Sequence, residues 1–108
     1  MTNTEQEDPI VPTGIEHKID EILDERGDLD QRYNYIDYHF VQDGMTALAR
    51  AYCDSMRRAS LYGPYKDQER ATGAVAEAFQ TAIMGYLQRR FDTIQVLGRD
   101  GYETVWQA

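Results

Sequence analysis

Apolar residues recur along this chain at intervals of three and four. Between Thr13 and Gly27, Ile15, Ile19, Ile22 and Leu23 fall at the i, i+4, i+7 and i+8 positions of one helical face. Thr13 and Glu16 have capping-box spacing, and Gly27 after Arg26 suits a helix C-terminus. The spacing therefore predicts a short amphipathic first helix. Glu16, Asp20 and Asp24 form an i, i+4, i+8 row on its polar side, with Glu21, Glu25 and Asp28 beside it.

The stretch RYNYIDYHFVQDG, residues 32–44, fits either of two periods. As a strand it sets Asn34, Ile36, Tyr38 and Phe40 against Tyr35, Asp37 and His39. As a helix it aligns Leu29, Tyr33, Ile36 and Phe40, a stripe that continues through Gly44, Ala47 and Ala51. A second helical stripe runs through Tyr38, Val41, Met45, Leu48, Tyr52, Met56 and Ala59. The helical period persists over about thirty residues and the alternation over about seven, so the helix is preferred. It spans about Asp30 to Leu61, long or kinked at Asp43–Gly44, because an internal glycine weakens a helix by about 1 kcal/mol. In this phase Tyr33 faces inward and Tyr35 and His39 face solvent.

Gly63-Pro64 ends that element. From about Tyr65 to Arg90, Ala71, Val75, Ala78, Phe79, Ala82, Ile83 and Tyr86 make the most regular stripe in the chain, with small residues that permit close helix packing. Thr93–Leu97 and Tyr102–Trp106 are rich in strand formers around Gly98-Arg99-Asp100-Gly101, which predicts a β-hairpin. Residues 1–12 carry two prolines and few apolar side chains and read as a flexible acidic tail adding little stability. The expected fold is mainly α (α+β). Three helices, the central one long or kinked, and a C-terminal β-hairpin make one domain over residues 13–108.

Composition narrows the function classes. The chain has 108 residues, one cysteine (Cys53) and eight tyrosines. A single cysteine builds no internal disulfide or cysteine-based zinc site. No run of about eighteen apolar residues exists, so no membrane-spanning helix is expected. The polar, acidic N-terminus lacks a secretory pattern, and a cytoplasmic location is expected. The net charge of −8 is uneven: residues 1–43 hold twelve acids against Lys18, Arg26 and Arg32, whereas residues 44–108 are nearly balanced. Direct nucleic-acid binding is disfavoured, and a basic protein partner is accommodated.

No phosphate loop, nucleophile elbow or dinucleotide fingerprint occurs. Cys53 adjoins Asp54, which raises rather than lowers a thiol pKa, so it reads as a packing residue. His39 and Asp43 are four apart with Asp37 near, but two or three such groups on a helix surface are common without metal. No metal or other cofactor is therefore expected. The expected role is that of a small acidic, non-enzymatic protein-binding modulator, of the kind phages and bacteria use to inhibit nucleic-acid-handling machinery. Glu16, Asp20, Asp24 and Asp28 would form its partner-binding face, with Tyr35 adding an aromatic contact. On a helix, carboxylates one turn apart lie about 6 Å from each other, close to the phosphate spacing of a strand. The alternative is a structural or assembly subunit that makes oligomer contacts through its helices and hairpin; the hairpin edge and Trp106 also allow a homodimer.

Overall fold

The computed structural model describes residues 7–53, 57–98 and 100–108; in it seven strands form one sheet and a single helix packs on one of its faces. Strands β1 (Gly14–Leu23), β2 (Leu29–Gln42), β3 (Met45–Tyr52) and β4 (Arg58–Lys66) make an antiparallel meander, and the short β5 (Glu69–Arg70) pairs with the end of β4. Helix α1 (Ala74–Gln88) then leads to β6 (Thr93–Gly98), which runs parallel to β4, and β7 (Gly101–Gln107) returns antiparallel beside it. The lateral order β1-β2-β3-β4-β6-β7 leaves β1 and β7 as the two edges.

Local chemistry sets the turns. Asp43 (φ 53°) and Gly44 (φ 77°) join β2 to β3, and Asp67 (φ 52°) and Gln68 (φ 67°) join β4 to β5. Two consecutive residues at positive φ form the tight loop that matches strand twist. Gly63, at φ 103°, permits a close approach of β4 to β3: a Cβ there would sit 3.1 Å from the Thr46 carbonyl oxygen.

The core lies between α1 and one sheet face. Phe79, Ile83 and Leu87 of α1 are fully buried against Phe40, Ala49, Ala59, Leu61 and Ile94. Alanines at 47, 49 and 59 keep the strand surface shallow, so the helix seats closely on it. Tyr86 closes one end, its ring 5.5 Å from that of Phe40 and 5.9 Å from that of Tyr38.

This architecture overturns the expected mainly α fold of three helices. The helix expected from Thr13 to Gly27 is β1 and its turn, and the long or kinked central helix is β2, β3 and the start of β4. A spacing of four is even as well as close to one helical turn. Ile15 and Ile19, or Ile36 and Phe40, therefore share a strand face as readily as a helical one. Asp43-Gly44 is a hairpin loop and not a kink. The third helix is present but shorter than expected, with Phe79, Ile83 and Tyr86 inward and Val75 57% exposed. The C-terminal hairpin is present as β6–β7.

Residues 1–6 of the expected tail lie outside the described residues. The segment after them runs along α1: both oxygens of Asp8 accept hydrogen bonds from Arg90 at 2.9 Å, and Ile10 packs against the core. Among the described residues no helix is long and apolar enough to cross a membrane.

Candidate functional site

Strand alternation gives the sheet two unlike faces. Ile36, Tyr38 and Phe40 of β2 point toward α1. Tyr33, Tyr35, Asp37 and His39 point the other way, where no second layer covers them among the described residues. By register, Glu16, Lys18 and Asp20 of β1, Leu48, Arg50 and Tyr52 of β3, Ser60 and Tyr62 of β4, and Tyr102 of β7 join them on this open face.

At its centre is a charged cluster. Asp37, 1% exposed, accepts hydrogen bonds from Arg50 Nε at 2.8 Å and Nη2 at 3.0 Å, and Lys18 Nζ lies 3.5 Å away. The Arg50 guanidinium also stacks 4.2 Å over the ring of Tyr35, whose hydroxyl donates to Asp20 at 2.8 Å. Burial pushes the Asp37 carboxyl up, but the hydrogen bonds and charges of Arg50 and Lys18 outweigh it and hold the group below the usual carboxylate range. The hydrogen bond to Asp20, aided by burial, raises the Tyr35 hydroxyl above its ordinary value. Burial and the neighbouring Tyr102 hydroxyl do the same for Tyr62.

Tyrosines surround this cluster. Tyr52 lies 5.7 Å from Tyr35 and 6.2 Å from Tyr33, and Tyr62 packs edge-on against Tyr102 with their hydroxyls hydrogen-bonded. Between the two groups, Tyr52, Arg58, Ser60, Gln95 and Tyr102 line a shallow depression of about 290 Å³. A larger groove on the outer side of α1, between Pro9 and Val105, is lined mainly by small or apolar side chains and brings no charged groups together.

The sequence-predicted partner residues all fall in the β1–β2 hairpin, in a different arrangement from the one expected. Glu16 and Asp20 share the open face but are engaged, Glu16 with His39 at 2.6 Å and Asp20 with Tyr35. Asp24 organises the hairpin turn by accepting from the N–H groups of Arg26 and Asp28. Tyr35 is 5% exposed and Tyr33 40%, the reverse of the helical phase. On a strand, residues four apart lie about 13 Å from one another, so an acidic helix imitating phosphate spacing does not exist. The helical nucleic-acid mimic is thereby withdrawn. His39 and Asp37 share a face, but the described residues contain no group of three or more metal-ligating side chains placed to hold an ion.

Sequence reasoning missed Arg50, Tyr52, Tyr62 and Tyr102 as one surface. The available signal was the alternation of Met45, Ala47, Ala49 and Ala51 with Thr46, Leu48, Arg50 and Tyr52, directly after an Asp-Gly turn. No family model matches the chain, nor does a curated protein or a solved structure.

Proposed function

We propose that this chain is a small non-enzymatic module that binds and modulates a basic protein, using the open sheet face and the acidic end of the β1–β2 hairpin. The observation that carries this reading is the tyrosine-rich face left uncovered beside a core that the helix already completes. Tyr33 and Tyr102 remain 40% and 54% exposed there. Tyrosine offers a large rigid contact area together with a polar tip, the combination favoured where proteins meet. The Asp37–Arg50–Lys18 cluster fixes that surface in advance, which lowers the ordering cost of binding. The hairpin end supplies charge: Glu21, Asp24, Glu25, Asp28 and Asp30 are exposed, against Arg26 and Arg32. That potential steers a basic partner, and a protein with a nucleic-acid-handling surface has the required charge.

The titration shifts also favour binding over acid–base chemistry. The Asp37 carboxyl moves down and the Tyr35 and Tyr62 hydroxyls move up, each away from the neutral range a general acid or base needs.

The test is partner capture from the native host with two folded variants. Tyr52→Ala/Tyr102→Ala should reduce recovery of the partner at all salt concentrations. Glu25→Gln/Asp28→Asn/Asp30→Asn should reduce it and flatten its salt dependence. Full recovery by both variants, with unchanged salt response, would refute the proposal. The assembly-subunit reading is kept because β1 presents a ten-residue edge that pairs with no other strand among the described residues.

A further inference from the structure

The free edge of β1 has a composition that fits one occupant. Across β2–β3, Cys53 N–H donates to the Asn34 carbonyl at 2.8 Å, so even-numbered residues of β2 bond β3 and odd-numbered ones bond β1. The β1–β2 register then turns the backbone groups of even-numbered β1 residues inward. The hydrogen bond from Asp24 N–H to the Asp28 carbonyl at the hairpin end agrees with this. The N–H and C=O groups of Ile15, His17, Ile19 and Glu21 consequently point out of the sheet. Natural edge strands are usually short, charged, or interrupted by proline or a bulge, because such a row templates pairing with another chain. The charges of β1 (Glu16, Lys18, Asp20 and Glu21) guard it against any partner that does not complement them. Strand β1 has ten residues, and its only irregularity is at Ile22/Leu23, at the far end.

The edge also carries apolar side chains that the described residues leave exposed. Ile15, Ile19 and Leu23 lie on the α1 side of the sheet, because Ile15 pairs with Tyr38, yet they are 59%, 54% and 58% exposed. The hairpin extends past the helix, so its inner face is left bare.

We infer that two copies of this chain join by antiparallel pairing of their β1 strands, with a two-fold axis at Ile19. In that register Ile19 meets Ile19 of the second copy, and Ile15 meets Leu23. Lys18 meets Asp20 and His17 meets Glu21, so every charge-bearing contact near the axis is complementary and is made twice by symmetry. The outward backbone groups of each strand face those of the other, as an antiparallel ladder requires. Moving the axis by one residue sets Lys18 or Asp20 against itself. Moving it to His17 leaves Ile22 and Leu23 without partners. The chosen register keeps like faces on the same side. The two helices lie on one side of a continuous sheet, and the two tyrosine faces form one broad surface on the other. The inference stands independently of what that surface binds.

Sedimentation equilibrium of the full chain tests it. The wild-type chain should form a dimer that Ile19→Lys converts to a monomer with an unchanged far-ultraviolet spectrum, since Ile19 is exposed and two lysines would meet on the axis. In a Cys53→Ser background, Ile19→Cys should cross-link to a covalent dimer on mild oxidation, because a residue on the axis brings its own Cα atoms to about 5.5 Å, within disulfide reach. Glu25→Cys, far from the axis, should not cross-link. A monomeric wild-type chain at every attainable concentration would overturn the inference. So would a dimer that survives Ile19→Lys and in which Ile19→Cys fails to cross-link.

Discussion

Arg50 grips both carboxylate oxygens of Asp37 across the β2–β3 pair, at 2.8 and 3.0 Å, on a sheet face that no second layer covers among the described residues. Such a pair supplies geometry more than net stability, because desolvation offsets much of its attraction. Removing one partner is another matter. Asp37→Asn leaves Arg50 and Lys18 facing a neutral amide, and the expected loss is about 3 kcal/mol, the lower end for a broken buried pair since both cations remain partly exposed. Urea unfolding of the variant measures it, and a loss below about 1 kcal/mol would show that the cluster is solvated.

Acid should destabilise this protein through two identifiable carboxylates. Asp37 and Asp8 both titrate below the usual carboxylate value, Asp37 because Arg50 and Lys18 overcome its burial and Asp8 because of its hydrogen bonds from Arg90. A depressed folded-state pKa contributes stability that is fully present above the unfolded value, near pH 4, and is lost as pH falls through the folded one. The unfolding midpoint should therefore drop progressively as the pH is taken below about 4, and the drop should shrink in Asp8→Asn and again in the double variant with Asp37→Asn.

The N-terminal segment should add stability, contrary to its expected role as a dispensable tail. Arg90, which holds Asp8, also lies 3.7 Å over the ring of Tyr86, while Pro9 and Ile10 rest on the helix and core. Deleting residues 1–12 should lower the melting temperature by at least about 5 °C. Gly85 reports on the same contact, because a Cβ there would come within 2.9 Å of Pro9 Cγ. Gly85→Ala should stabilise the truncated chain by about 1 kcal/mol through helix propensity, and the full chain by less. Equal gains would place the segment away from α1.

Tyr33 and Tyr35 should respond oppositely to truncation. Tyr35→Ala removes a buried ring stacked under Arg50 and a hydroxyl bonded to Asp20, at an expected cost of about 3 kcal/mol. Tyr33→Ala should cost under about 1 kcal/mol, as its ring is largely exposed. Thermal melts of both variants separate the strand phase from the helical one, which requires the reverse order.

The sequence by itself determined the elements whose signals are local. Phe79, Ile83 and Tyr86 lie on the helix that their spacing predicted, and the glycines at 98 and 101 mark a hairpin between two runs of strand formers. The acidity of the first 43 residues was likewise legible, since charge needs no fold to be counted. Tertiary structure decided the region from Gly14 to Leu61, where the alternation after Asp43-Gly44 competed with a helical spacing. Ala47 and Ala49 are good helix formers, but the sheet face beneath α1 requires small side chains, and packing overrides propensity. The opposite face carries Leu48, Tyr52 and Tyr62 instead of purely polar residues, which blurred the alternation that marks a strand. The site followed from the same cause: Lys18, Asp37, Arg50 and Tyr102 come from four strands, and only their register brings them to one surface.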